Sequence, residues 1–179
     1  MTPEPDLREA LLAAVPGLRA FAISLAGQVD KADDLVQDTL LRALSNLHRF
    51  EPGTNLNAWL FTILRNLFHS EYRKRRREVE DPDGIFAGRL KVQPEQGSHL
   101  DLEDFRTALF QLPSDQREAL LLVGASGFSY EEAASICDCA VGTIKSRVNR
   151  ARIRLAAMLN VDDVEDLGPD TMTRAALQG

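Results

Sequence analysis

The sequence predicts an all-α protein made of two small helical domains joined by a flexible linker. Long runs of alternating β-branched residues and Asn-Gly hairpin turns, both typical of β-strands, are absent from the 179 residues. Apolar residues instead recur at helical spacing along most of the chain. Three glycines, two prolines and scattered acids interrupt that pattern between residues 79 and 99. We therefore place the domains at residues 1–80 and 100–161, with a linker at 81–99 and a tail at 162–179.

Three helices are predicted in the first domain. The first begins at Pro16, because proline suits the first turn of a helix, and continues to Gly27. The second covers about residues 31–47, and the third follows a turn-rich break and covers about residues 57–77. The apolar stripe of the second helix consists of Val36, Leu40, Ala43 and Leu47. A different side of that helix carries Leu35, Thr39, Arg42 and Asn46.

The net charge of −6 conceals two basic segments. Residues 65–77 contain six Lys and Arg residues with one acid, Glu71, and residues 142–159 contain five with no acid. Two basic segments in an acidic chain indicate two separate contacts with a polyanion, and the acidic remainder leaves surface for protein partners.

The location predicted from the sequence is the cytoplasm. No apolar run approaches the length of about 20 residues that a bilayer-spanning helix needs. The first ten residues are acidic and lack the basic and apolar parts of a secretory signal. Cys137 and Cys139 are too close in the chain to bridge each other easily, and no second pair or nearby histidine completes a metal site. We expect two reduced thiols, no metal and no cofactor.

The sharpest motif lies between residues 129 and 152. Ser129 and Glu132 have the spacing of a capping box that begins a short helix at 131–136. A tight connection at 137–139 leads to a long basic helix from Val141, whose apolar stripe consists of Ile144, Val148, Ala151 and Leu155. That stripe leaves Lys145, Ser146, Asn149 and Arg150 facing outward. A helix-turn-helix of this kind reads guanine with Lys or Arg and adenine with Asn in the major groove. The alternative is a solvated basic helix in an ordinary bundle.

Three segments resemble region 4 of the extracytoplasmic-function (ECF) sigma factors, which reads the minus-thirty-five promoter element. They are LPSDQREA at 112–119, GFSYEEAA at 127–134 and VGTIKSRVNRAR at 141–152. The stretch VGASGFS at 123–129 is similar to the general-stress-response branch of alphaproteobacteria, the EcfG-type sigma factors. The resemblance implies DNA contacts from Thr143, Lys145, Ser146, Arg147, Asn149 and Arg150.

The segment DDLVQDTLLRAL at 33–44 resembles region 2.1–2.2, the surface that grips the clamp helices of the polymerase β′ subunit. The resemblance implies polymerase contacts from Asp33, Asp34, Gln37, Asp38 and Arg42. A rival interpretation exists, because the three aspartates also form the DDxxxD pattern that binds magnesium and a diphosphate in isoprenoid enzymes. The chain has no second such motif and is short for that cavity, so we do not expect an enzyme.

Residues 59–67 and 73–77 resemble regions 2.3–2.4, which open the minus-ten element. In that family an asparagine and the turn before its helix form a pocket for an unstacked base. Asn66 matches the asparagine, and residues 50–55 match the turn. Trp59 is either a stacking platform or a core residue. The basic run is either a phosphate contact, through Arg73, Arg75 and Arg76, or a solvated helix end.

The resemblance as a whole implies a sigma factor that binds core RNA polymerase, through the β′ clamp helices and the β flap, and directs it to stress-response promoters. It also implies control by a NepR-like anti-sigma factor. The main alternative is a decoy that mimics a sigma factor to sequester an anti-sigma protein. Such mimics carry an attached receiver domain, which this sequence lacks. A one-component repressor is a third possibility, but no ligand pocket or dimerisation segment is evident.

Overall fold

Helices make up the regular structure that the computed structural model describes, which covers residues 6–78 and 102–160. The chain divides into two units, residues 1–90 and 91–179. The prediction of an all-α chain with two helical domains is confirmed. The expected linker at 81–99 and tail at 162–179 lie outside the described residues.

The first unit contains α1 (Leu7–Ala26), α2 (Val29–Ser45) and α3 (Leu56–Glu78), with a single 3-10 turn at Leu47–Arg49. Each of the three helices packs against the other two. Leu18, Leu60 and Leu64 are fully buried between them. The rings of Phe21 and Phe61 are 5.1 Å apart between centroids and join α1 to α3.

The start of α1 was predicted wrongly. The helix begins at Leu7, where the Asp6 side chain accepts the backbone N–H of Arg8, so Pro16 lies in the helix interior. The carbonyl that Pro16 leaves without its helical donor belongs to Leu12, an exposed residue. Because Leu11 and Ala14 are buried upstream of the proline, packing holds the extra turns in the helix. The helix ends at Gly27, which has a φ of 70° and donates its N–H to the Ile23 carbonyl.

By length and composition, α1 could also cross a bilayer, so the expectation that no apolar run has that length was wrong. Its core-facing side nevertheless packs against α2 and α3. The buried apolar residues on that side are Leu11, Ala14, Leu18, Phe21, Ala22 and Leu25. Packing in the bundle therefore accounts for the apolar character of α1.

The buried side of α2 is wider than the predicted stripe. Leu35 and Thr39 were assigned to a different side, but they are 3% and 0% exposed. Thr39 is tolerated there because its hydroxyl donates to the Leu35 carbonyl at 2.7 Å. Leu40, which was assigned to the stripe, is only half-buried.

The second unit contains α4 (Leu102–Gln111), α5 (Ser114–Leu120), α6 (Tyr130–Cys137) and α7 (Val141–Leu159). Both α4 and α5 pack against α7, as does α6. The largest fully buried side chains of this unit are Leu122, Ile136, Ile144, Val148 and Leu155. Arg117 joins α5 to the end of α4, because its guanidinium lies over the Phe110 ring and donates to the Phe110 carbonyl at 3.1 Å.

In the second domain the sequence also predicts a helix from Pro113 to about Gly124, because proline suits the first turn of a helix. That helix does not continue as an α-helix to its end. Residues Leu121–Ala125 form a π-helical turn, in which the N–H of Ser126 donates to the Leu121 carbonyl at 2.9 Å. Gly127 follows with a φ of 75°, a conformation that favours glycine. This exit places Phe128 in the core, directly before the capping box of α6.

Candidate nucleic-acid interface

A helix-turn-helix is formed by α6 and α7. The Ser129 hydroxyl accepts the Glu132 N–H at 3.1 Å, and the Glu132 carboxylate accepts the Ser129 N–H at 2.9 Å. The predicted capping box is therefore present. The turn to α7 passes through Asp138, which adopts the left-handed conformation with a φ of 52°. Because Ala133 and Ala134 are small and buried, α6 can lie close to the helices that it contacts.

The inner side of α7 matches the predicted apolar stripe: Ile144, Val148, Ala151 and Leu155 are 0–2% exposed. On the outer side, Lys145, Asn149 and Arg150 are exposed, whereas Thr143 and Ser146 are half-buried. The ammonium of Lys145 lies 5.8 Å from the centroid of the Tyr130 ring. Tyr130 begins α6, so this cation–π contact joins the two helices of the motif at the outer surface.

Arg147 differs from the other cations that were predicted to contact DNA. Only 25% of its side chain is exposed, and its Nε lies 3.3 Å from the Asp115 carboxylate. Its Nη1 also donates to the Cys139 Sγ at 3.9 Å. Neither cysteine forms a disulfide; Cys137 is buried and Cys139 is half-buried.

The basic segment of the second unit offers fewer surface charges than the sequence count suggested. Arg152 is only 8% exposed, and Glu118 on α5 is 2% exposed. One signal for the burial of Arg152 is present in the sequence: this residue follows Ala151 of the predicted stripe and lies next to the helix side that faces the core. Of the five cations, Lys145, Arg150 and Arg154 are exposed.

The predicted polymerase-binding residues lie together along α2. Asp34, Gln37, Asp38 and Arg42 are exposed. The Asp33 carboxylate instead accepts two hydrogen bonds from Arg19, one from Nε at 2.7 Å and one from Nη2 at 3.4 Å. This hydrogen bonding, together with charge attraction, raises the pKa of Arg19. Sequence reasoning missed the Arg19 partner because it lies on another helix, 14 residues away.

Two leucines extend the same surface of α2. Leu41 is 63% exposed and Leu44 is 55% exposed. Together with the exposed polar residues of α2, these side chains give this surface an apolar part. The sequence pattern did not single them out, because leucine in an amphipathic helix is normally assigned to the core.

On α3, Asn66 is exposed. Residues 50–55 form the turn before this helix, and the Asn55 side chain accepts the Ala58 N–H at 3.2 Å. Trp59 is half-buried, with its ring 5.3 Å from that of Phe50 between centroids. Its ring is therefore anchored to the turn and partly open to solvent, which combines features of both interpretations of this residue.

The basic end of α3 is exposed throughout residues 71–78. Arg73 donates to the His69 carbonyl at 3.3 Å, and Arg75 lies 3.8 Å from the Glu71 carboxylate. Arg76 is exposed beside them. Cations at the carboxyl end of a helix are stabilised by its dipole, so the helix alone supports this cluster.

The DDxxxD pattern does not assemble into a metal site. Asp33 is bound to Arg19, and among residues 6–78 and 102–160 no group of three His, Cys, Asp or Glu side chains could hold a metal ion. The isoprenoid-enzyme interpretation therefore has no support from this geometry.

Comparisons with known proteins agree with the two units. Residues 12–78 match the family model for Sigma-70 region 2, and residues 102–155 match that for Sigma-70, region 4. The chain is 70% identical over 174 residues to the ECF RNA polymerase sigma factor EcfG of Rhodopseudomonas palustris (strain TIE-1), covering 97% of this chain and 96% of that protein.

Two solved structures from Bartonella quintana are informative. The sigma factor RpoE, in complex with the anti-sigma factor NepR, aligns with a TM-score of 0.79 at 59% identity, over 89% of this chain and 100% of that one. The anti-anti-sigma factor PhyR, also complexed with NepR, aligns with a TM-score of 0.55 at 19% identity, over 85% of this chain and 50% of that one, and shares the fold alone. Both family models and the identity to a curated relative lead to one conclusion: this chain belongs to the ECF family of RNA polymerase sigma factors.

Proposed function

We propose that the chain binds core RNA polymerase and directs it to stress-response promoters, under the control of a NepR-like anti-sigma factor. The observation that carries this proposal is the outer side of α7, where Lys145, Asn149 and Arg150 are exposed on a helix that α6 and a buried stripe hold in place. A helix-turn-helix with this arrangement fits the major groove, and its exposed side chains match the base edges of guanine and adenine.

The two domains, proposed at residues 1–80 and 100–161, divide the DNA contacts. The second domain reads the minus-thirty-five element through Thr143, Lys145, Ser146, Asn149 and Arg150, with Arg147 beside them at the boundary with the core. The first domain opens the minus-ten element, with Asn66 holding an unstacked base and Arg73, Arg75 and Arg76 contacting phosphates. The exposure of Asn66 and of the arginine cluster supports these roles.

Polymerase binding is assigned to the outer surface of α2 for the β′ clamp helices, and to the second domain for the β flap. The surface of α2 offers Asp34, Gln37, Asp38 and Arg42 as polar contacts, with Leu41 as an apolar one. Asp33 also belongs to this set, although its carboxylate is already bound to Arg19. The combination of polar and apolar groups is typical of protein interfaces.

The anti-sigma partner follows from the likeness to the Bartonella sigma factor, which was solved with NepR. The decoy alternative is weaker, because the chain is only 19% identical to the anti-anti-sigma factor PhyR of Bartonella quintana. The exposed cations of α7 also favour DNA reading, since a decoy has no need for them. We further propose that the protein works in the cytoplasm and has no catalytic site of its own.

Promoter opening tests the proposed function directly. Core polymerase carrying the wild-type chain is used to enrich promoters from sheared genomic DNA, and permanganate then detects unpaired thymines in the enriched fragment. We expect Asn66→Ala to bind this fragment almost as well as wild type but to give weaker permanganate reactivity, because the lost contact forms only after a base leaves the stack.

Asn57→Ala is the matched control, because Asn57 is an exposed asparagine at the start of the same helix. It should leave reactivity at the wild-type level. Equal reactivity in Asn66→Ala and wild type would remove Asn66 from the melting site. No opening of any DNA by the wild-type holoenzyme would overturn the proposed function itself.

A further inference from the structure

Arg147 lies where three parts of the second unit meet. Its side chain starts on α7, contacts Asp115 in the first turn of α5, and donates to the Sγ of Cys139 in the turn between α6 and α7. The helices α5 and α7 pack directly against each other. One guanidinium therefore ties the recognition helix to both the preceding helix and the turn of its own motif.

The surroundings of Arg147 set it apart from the exposed cations of the same helix. Three-quarters of its side chain is covered, and its neighbours Ile144, Val148 and Ala151 belong to the buried stripe. Lys145 and Arg150 are exposed on the outer side. Arg147 thus occupies the boundary between the core and the predicted DNA surface, with its charge already opposed by a carboxylate.

We infer that Arg147 is a positioning residue for promoter recognition, and that Asp115 is the anchor through which it acts. Rotation of α7 about its own axis would change where Lys145 and Arg150 point. Arg147 resists that rotation, since it is held from two directions by Asp115 and Cys139. Arginine suits this role because its planar fork of donors can serve two acceptors at once. This inference rests on the proposed function, because positioning matters only if α7 reads DNA.

The inference and the simpler role of Arg147 as a phosphate contact predict opposite effects for the loss of Asp115. If Arg147 contacts phosphate, Asp115 competes with DNA for it, and Asp115→Asn should strengthen binding to every sequence. If Arg147 positions α7, the same substitution releases the helix and should weaken binding to the correct sequence alone. The sign of the change therefore separates the two roles.

The test uses the full-length chain and two short duplexes, one carrying the upstream element of an enriched promoter and one with that element scrambled. Fluorescence anisotropy measures binding at several salt concentrations. For Asp115→Asn we expect affinity for the correct duplex to fall about fivefold or more, near the lower end of the contribution of one bidentate base contact. Affinity for the scrambled duplex should stay unchanged. Tighter binding to both duplexes would overturn the inference.

Substitutions of Arg147 give a second, independent readout. The plot of log K against log salt has a negative slope, and the loss of one phosphate contact makes that slope less steep by about 0.9. We expect Arg147→Gln to leave that slope unchanged on the scrambled duplex and to lose selectivity for the correct duplex. Arg147→Lys keeps the charge but lacks the planar fork of donors, so we expect it to lose selectivity as well. Because both residues act through one contact, Arg147→Gln should cost little more in the Asp115→Asn background. A less steep salt dependence for Arg147→Gln, or wild-type selectivity of Arg147→Lys, would contradict the inference.

Glu131→Gln is the matched control, because Glu131 is an exposed acid in the first turn of α6. Like Asp115→Asn, it removes one negative charge from the second unit, but it should not reduce selectivity. Thermal unfolding followed by circular dichroism shows whether each variant is folded. If Asp115→Asn does not fold, Arg147→Lys serves as the decisive variant. If the wild-type chain does not distinguish the two duplexes, the result counts against the proposed function. If the wild type and the Arg147 and Asp115 variants all prefer the correct duplex equally, the result counts against the inference alone.

Discussion

Replacing Lys145 and Arg150 together by alanine is expected to abolish selective binding to the upstream promoter element. Both side chains are exposed on the outer side of α7, where they can reach base edges. A bidentate contact to a base contributes about 1–3 kcal/mol. The double substitution should therefore cost about 2–6 kcal/mol if the two contributions add. The fold should survive, because neither residue belongs to the buried stripe of α7.

Electrophoretic shifts of the holoenzyme on an enriched promoter fragment measure this loss. Arg154→Ala is the control, because Arg154 is another exposed cation of the same helix and lies farther from its amino end. It should weaken binding only slightly and for all sequences alike. If the Lys145 and Arg150 double variant binds the fragment as tightly as wild type, α7 is not the reading helix.

The second large effect is expected at the outer surface of α2. Asp34→Lys combined with Gln37→Ala should prevent stable association with core polymerase, because it reverses one exposed charge and removes one exposed amide next to Leu41. Residues at the centre of an interface typically cost about 2 kcal/mol or more when they are truncated, which corresponds to a loss of about thirtyfold in affinity. Asp33 is left intact, since its substitution would also break the ion pair with Arg19.

Comigration with core polymerase on native gels or by gel filtration measures the effect. Glu9→Lys reverses an exposed charge on α1 and provides the control, which should comigrate like wild type. Far-ultraviolet circular dichroism verifies that the double variant is folded. Undiminished comigration of a folded double variant would show that α2 does not contact polymerase.

The helix-turn-helix could be predicted from sequence because its determinants are local. The capping box of Ser129 and Glu132 spans four residues, and the stripe from Ile144 to Leu155 repeats at the period of a single helix. Each of these signals is complete within one segment of chain. The boundaries of α3 were also close to those predicted, since a clear break precedes this helix.

The errors arose where packing between helices outweighs local preference. Pro16 is a reasonable first residue for a helix, but the burial of Leu11 and Ala14 extends α1 beyond it. Thr39 was predicted on a different side of α2 from the apolar stripe, yet it is buried, and the Leu35 carbonyl satisfies its hydroxyl. The π-helical turn after Leu120 was not predicted; Leu122 and Phe128 are both buried there, and the Phe128 N–H donates to the Leu122 carbonyl.

The ion pairs of the candidate site could not be predicted from the sequence either, because they too depend on packing between helices. Arg19 with Asp33, and Arg147 with Asp115, each join different helices. Composition counts each of these side chains as a free surface charge, although both pairs are engaged within the protein. The sequence therefore located the charged segments correctly but overestimated how many of their charges are available to a partner.

Run-off transcription is the most direct measurement of the central claim that this chain gives core RNA polymerase its promoter choice. Core polymerase from the same organism is incubated with enriched promoter fragments, with and without the full-length chain. We predict discrete transcripts that depend on the chain and that disappear with the Lys145 and Arg150 double variant. A chain that comigrates with core polymerase yet yields no specific transcript from any enriched fragment would contradict the account.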